Sequence, residues 1–103
     1  MKDIGMKINE TVALVSGANR GIGKAFVEAL YSAGAERIYA TARSIDSLTD
    51  LVAIDPQRII PIALDVTKPD QIAAVVQQTQ GVNLLINNAG VLGSGGFLQI
   101  IAM

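Results

Sequence analysis

The stretch Ser16-Gly17-Ala18-Asn19-Arg20-Gly21-Ile22-Gly23 constrains this chain more than any other. It follows an apolar run, Thr11-Val12-Ala13-Leu14-Val15, and leads into a helical pattern. A strand, a glycine-rich turn and a helix, in that order, make the physical setting for a bound phosphate. The N–H groups at a helix N-terminus lack partners and carry partial positive charge. Glycines turn sharply and let the backbone approach an anion without a Cβ clash. The three glycines follow a G-x-x-x-G-x-G spacing rather than the commoner dinucleotide spacing G-x-G-x-x-G. A turn that merely needs positive φ is the plainer reading of such a motif. The patterned strand before it and helix after it favour a pyrophosphate cradle. A triphosphate-binding P-loop does not fit. Aligned on Gly23-Lys24, it puts Ala18 at its first glycine and Ala25 at its Mg²⁺-binding hydroxyl.

The chain around this turn reads as repeated strand–helix units. Residues 11–16 are a short, wholly apolar strand, as expected where both faces are covered. Ile22, Ala25, Phe26, Ala29, Leu30 and Ala33 predict one continuous helix face, stopped by Gly34. Residues 37–42 predict a second strand. Ser44 is placed to cap a second helix carrying Ile45, Leu48, Leu51 and Val52. Residues 58–64 predict a third strand. Its Pro61 cannot donate to a ladder, so this strand belongs at a sheet edge. Thr67-Lys68-Pro69-Asp70 resembles a capping box, opening a third helix with Ile72, Val75, Val76 and Thr79 inward. Residues 82–87 predict a fourth strand. Asn88-Ala89-Gly90 then opens a glycine-rich tail ending in Phe-Leu-Gln-Ile-Ile-Ala-Met. The order β-α-β-α-β-α-β predicts an α/β fold with a parallel, right-handed, doubly wound sheet. Three regions are expected: a flexible arm at 1–10, a nucleotide-binding half-domain at 11–92 and a divergent tail at 93–103.

Several functions are excluded by what is absent. With no Cys, the chain has no disulfide, thiolate metal site or Cys nucleophile. With no His, it has no Ser-His-Asp triad and lacks the commonest metal ligand, so no metal site is expected. A net charge of −1 and four scattered aromatic residues give no nucleic-acid surface. No apolar run reaches bilayer length and the N-terminus carries no secretory h-region, so a cytoplasmic protein is expected.

Three ordered motifs carry a family resemblance. The Ser16–Gly23 turn resembles the TGxxxGxG turn of the short-chain dehydrogenase/reductase family, with Ser in the usual Thr position. Asp65-Val66 resembles the family's adenine contact, and Asn87-Asn88-Ala89-Gly90 its NNAG motif. The resemblance implies a partial Rossmann-type sheet of strand order 3-2-1-4. It assigns Gly17, Asn19, Arg20, Gly21, Ile22 and Gly23 to the pyrophosphate turn, with the Ile22 backbone near the nicotinamide side. It implies that Asp65 bonds the adenine amino group beside the Val66 N–H. Asn87 braces the central strands, and Asn88, Ala89 and Gly90 pass the adenosine ribose. A plain turn or cap carboxylate is the other reading of Asp65.

Charge argues for the cofactor. An NAD site places a carboxylate at the end of the second strand. Here that position is Ala42, followed by Arg43, so nothing there repels a 2′-phosphate. Arg43 and Arg20 supply planar donor forks suited to phosphate, which predicts NADP(H), as in NADPH-preferring carbonyl reductases. Within the family the reaction is hydride transfer between NADPH and a carbonyl or alcohol, carried by Ser and Tyr-x-x-x-Lys. Tyr31 is followed four residues on by Ala35 and Tyr39 by Arg43, so no catalytic residue is assigned here. The chain alone is therefore expected to be inactive. It reads either as the cofactor-binding part of such an oxidoreductase or as a non-catalytic module that binds NADP(H) or a longer relative. Without further strands, residues 82–87 are expected to form an open apolar edge that invites self-association.

Overall fold

The computed structural model describes residues 7–65, 67–79, 81–89 and 97–102. Eight elements follow one another: β1 (Val12–Val15), α1 (Gly21–Ser32), β2 (Arg37–Ala42), α2 (Thr49–Ile54), β3 (Ile59–Ala63), α3 (Pro69–Gln78), β4 (Leu84–Ala89) and β5 (Phe97–Ala102). They form one five-stranded sheet of order β3-β2-β1-β4-β5. The first four strands are parallel, so the fold is the expected Rossmann-type α/β sheet of order 3-2-1-4.

All four β1 residues are buried because the sheet is covered on both faces. Ala13 and Val15 face α1 and α2, packing in one cluster with Val27, Leu30, Ile38, Leu48, Leu51, Ile59 and Ile86. Leu14 points the other way, toward Leu64 and Val75 of the α3 side, with Tyr39, Ile62 and Leu85 around them. Period-two alternation on a wholly apolar strand thus serves two cores. Pro61 lies on β3 at the sheet edge, opposite Ala40, as its missing N–H requires.

Several local expectations are corrected. The buried face of α1 is Gly23, Val27 and Leu30. Ile22 is 57% exposed, and Ala25, Ala29 and Ala33 are exposed too. The helix is turned because Gly23 must face the end of β1, as set out below. Ser44 sits at an N-cap position but its side chain makes no cap bond; its carbonyl instead accepts from Ser47 Oγ at 2.6 Å. The second helical segment accordingly opens as a 3₁₀ turn, Ile45–Leu48, before α2. The capping box at Thr67 does not form either. Lys68 is the N-cap, and Thr67 Oγ1 donates back to Asp65 Oδ1. Val75 of α3 and Thr79 at its C-cap are buried as expected, while the side chains of Ile72 and Val76 lie outside the described residues.

The arm is tied in where it meets the sheet. Ile8–Glu10 form a 3₁₀ turn, and Asn83 Nδ2 donates to the Glu10 carbonyl while its Oδ1 accepts the Val12 N–H. Residues 1–6 lie outside the described residues.

The largest correction concerns β4. Its outer edge is not open: β5 pairs with it antiparallel, from Leu84↔Ala102 to Ala89↔Phe97. The tail Phe-Leu-Gln-Ile-Ile-Ala is uncharged and rich in strand formers, so it satisfies the edge hydrogen bonds that β4 would otherwise expose. This pairing also extends β4 through Asn88 and Ala89, past the expected end at residue 87.

At the opposite end of the sheet from the glycine turn, α1 closes in a Schellman arrangement. Gly34, at φ 97°, donates to the Tyr31 carbonyl, and Ala35 to the Leu30 carbonyl. Arg58 fastens this end. Its Nε and Nη2 both donate to the Ala35 carbonyl, at 3.1 and 2.6 Å, and its guanidinium stacks 4.3 Å from the Tyr31 ring centroid. Tyr31 Oη in turn donates to Asp55 Oδ2 at 3.1 Å. A cation at a helix C-terminus is favoured by the macrodipole as well. We expect Arg58→Ala to cost about 1–3 kcal/mol in denaturant unfolding, and Arg58→Lys, which lacks the fork, to recover less than half of the loss.

Candidate functional site

Because β1 to β4 are parallel, their carboxyl ends lie along one rim. Chain order reverses across β1, which has β2 on one side and β4 on the other. In open α/β sheets a crevice forms outside the strand ends at such a reversal. The segments that follow β1 to β3, beginning at Ser16, Arg43 and Leu64, meet the end of β4 at this rim.

The glycine turn is built by three different needs. Gly17 and Gly21 have φ of 61° and 60°, a region that side chains disfavour. Gly23 has no such φ and is needed for space. A Cβ there would fall inside contact distance of the Gly17 carbonyl and 3.1 Å from Asn88 Nδ2. A Cβ on Gly17 would lie 2.9 Å from the Asn88 carbonyl. The start of α1 therefore packs on the Gly17 backbone after β1 and against the Asn88 side-chain amide at the end of β4. Arg20 is the N-cap and no side chain caps that end of the helix. The first-turn N–H groups are left directed out of the turn, which is the donor set an anion requires.

Buried hydroxyls fix the turn to the sheet. Ser16 is 2% exposed; its Oγ donates to Asn87 Oδ1 at 2.9 Å and accepts the Asn88 N–H at 2.8 Å. Ser16 also donates its N–H to the Ile86 carbonyl. One side chain thus joins the ends of β1 and β4, and Ser does so with the same hydroxyl that Thr would supply. Thr41 is fully buried. Its Oγ1 donates to the Val15 carbonyl, and its own carbonyl accepts the Ala18 N–H at 2.9 Å. Sequence reasoning passed over Thr41; the available signal was a hydroxyl within an apolar strand that ends beside the turn.

The remaining predicted residues fall around this centre. Asn19 is half-buried, and Arg20, Gly21 and Ile22 are exposed on the turn. Arg43 is exposed directly after β2. Neither the Arg20 nor the Arg43 guanidinium donates a hydrogen bond to another described residue. Asp65 follows β3, with Oδ1 accepting the Thr67 hydroxyl at 2.6 Å and the Thr67 N–H at 3.0 Å. Oδ2 has no partner among the described residues. The Thr67 bonds, helped by the charges of Lys68 and Arg43, hold the Asp65 carboxyl below the usual carboxylate range. Asn88 and Ala89 lie at the end of β4. Val66 and Gly90 lie outside the described residues.

Two measurements check this geometry. Ser16→Ala strands the Asn88 N–H and should cost about 1–3 kcal/mol in denaturant unfolding, while Ser16→Thr stays near the native value. A carboxyl whose folded pKa is lowered adds stability above its unfolded pKa, and that stability is lost as pH falls through the folded value. The Asp65–Thr67 turn should therefore persist from neutral pH down through the normal carboxylate range. It should open only below that range, as followed by the Thr67 amide resonance.

The family profile described as short chain dehydrogenase matches residues 11–102. Galactitol 2-dehydrogenase of Agrobacterium fabrum is 39% identical over 90 residues, covering 84% of this chain and 35% of that protein. D-erythrulose reductase of Gallus gallus is 42% identical over 88 residues, covering 85% and 35%. A short chain dehydrogenase from Burkholderia cenocepacia, solved in complex with NADP, superposes with a TM-score of 0.74 at 40% identity, covering 84% of this chain and 35% of that one. The chain thus spans little more than a third of the length of these relatives. Among the described residues no helix is long and apolar enough to cross a membrane. With the profile matching nearly its whole length, the chain belongs to the short chain dehydrogenase family.

Proposed function

We propose that this chain is the NADP(H)-binding part of a short-chain oxidoreductase, one that transfers hydride between NADPH and a carbonyl or alcohol. One observation carries the cofactor choice: β2 ends in the buried Ala42 and is followed by the exposed Arg43, with Arg20 exposed at the start of α1. The rim thus carries two cations and no carboxylate where a 2′-phosphate would sit. A cytoplasmic location fits this reading.

The residues fit the group. Gly17, Gly21 and Gly23, with the uncapped start of α1 and the backbone at Asn19 and Ile22, suit a pyrophosphate. Arg20 and Arg43 suit the 2′-phosphate. The free Oδ2 of Asp65 suits the adenine amino group. The end of β4 at Asn88 and Ala89 suits the ribose, and Asn87 holds β4 against β1. The bound cofactor supplies the hydride; these residues bind and orient it. The catalytic Ser and Tyr-x-x-x-Lys of the family have no counterpart among these 103 residues.

A second reading, a non-catalytic NADP(H)-binding module that meets a longer relative or a second copy, is favoured by the β4–β5 pairing. That pairing closes the edge of β4 and makes β5 an outer strand of the sheet, as β3 is at the other side, with Ile100 55% exposed.

Titration of the chain with NADPH and NADH tests the cofactor. Tighter binding of NADPH is expected, and Arg43→Ala should reduce that preference about tenfold or more, as loss of a charged hydrogen bond does. An Arg43→Ala chain with unchanged preference contradicts the 2′-phosphate assignment.

A further inference from the structure

Gln71 belongs to none of the motifs above, yet its side chain reaches the residue that the rim uses to read a base. Gln71 lies in the first turn of α3, and its Oε1 accepts the Asp65 N–H at 2.9 Å. Each other polar atom of Asp65 but one is also engaged within this loop. The Asp65 carbonyl accepts the Lys68 N–H at 3.0 Å, and Oδ1 accepts both Thr67 donors. Gln71 is itself seated by its own N–H on the Lys68 carbonyl at 3.0 Å. Just upstream, Leu64 still donates to the Ala42 carbonyl of β2. Asp65 is therefore held from three sides: by β2 through Leu64, by the Thr67 turn, and by α3 through Gln71. Only Oδ2 is left to meet a donor from outside.

We propose that Gln71 is a positioning residue for base recognition: by accepting the Asp65 amide it locks the peptide that aims Asp65 Oδ2 at the amino group of adenine. The geometry gives the reason. The peptide N–H at Asp65 sets the direction of the Cα–Cβ bond that carries the carboxylate. With no acceptor on α3, that N–H turns to water and the carboxylate swings with it, while the Thr67 bonds travel along unbroken. A cap serving only α3 would instead accept from a residue at the helix start; this bond runs six residues back, to the end of β3. The inference rests on the dinucleotide reading above.

The test compares NADP⁺ with its hypoxanthine analogue, which has an oxygen in place of the adenine amino group. Binding to the full chain is measured by calorimetry, with melting temperature and Asp65 amide hydrogen exchange recorded alongside. The native chain should prefer NADP⁺ by about tenfold, as one charged hydrogen bond provides. Gln71→Leu, which removes the acceptor, should bring the two ligands to within about twofold, with faster Asp65 amide exchange. Gln71→Glu, which keeps the acceptor, should restore the preference. A role in helix stability alone would weaken both ligands equally and leave their ratio unchanged. A native chain with the preference and a Gln71→Leu chain that retains it overturns the proposal but not the cofactor reading. A native chain that binds both ligands without preference overturns the base contact and Gln71 with it. Binding of neither ligand overturns the cofactor reading itself.

Discussion

The rest of the molecule depends on one close contact, that of Gly23 with the Gly17 carbonyl and Asn88. Gly23 has no side chain to hold the first turn of α1 away from the Gly17 backbone and the Asn88 amide. That closeness fixes the rotation of the helix, which is why Val27 and Leu30 go inward and Ile22 stays out. It also aims the uncapped N–H groups along the rim. The same contact that packs the core thus shapes the proposed anion site, and a methyl at residue 23 would disturb both. The hydroxyls of Ser16 and Thr41 then stitch the three central strands together at that rim. A site built in this way is preorganised by the sheet rather than by its ligand.

Much of this was legible in the sequence. Four strands and three helices fall where the apolar patterns place them, and Pro61 put β3 at an edge because a missing donor has only one tolerable place in a sheet. The position of the glycines was legible; their separate duties were not, since spacing alone cannot distinguish a positive φ from a need for space. The apolar stripe on α1 was misjudged because small residues were counted as core. Ala25, Ala29 and Ala33 contribute little to burial, and the Gly23 contact outweighs them. The caps at Ser44 and Thr67 failed for a common reason: short polar side chains have several local partners, and the sequence does not say which prevails.

The rim residues divide along similar lines. Asp65 and Asn87-Asn88 were found by motif, as was Ser16, although its place between β1 and β4 was not. Thr41 was passed over because its hydroxyl acts on the Val15 carbonyl, a partner that no spacing motif marks. β5 was missed for a different reason. An apolar tail after a run of glycines is as compatible with a loose end as with a returning strand, and only the vacant edge of β4 decides between them. Antiparallel return needs just a short connection, whereas a parallel neighbour needs a crossover.

The rim joining Gly17–Gly23, Arg43, Asp65 and Asn88 is proposed as one binding surface for NADP(H). Backbone amide chemical shifts of the ¹⁵N-labelled chain, followed through a titration with NADP⁺, test it most directly. Saturable shifts are expected at Gly17 to Lys24, Arg43, Asp65 and Asn88, with little change at Arg58 or along β5. An absence of shifts, or shifts concentrated away from the carboxyl ends of the strands, would contradict it.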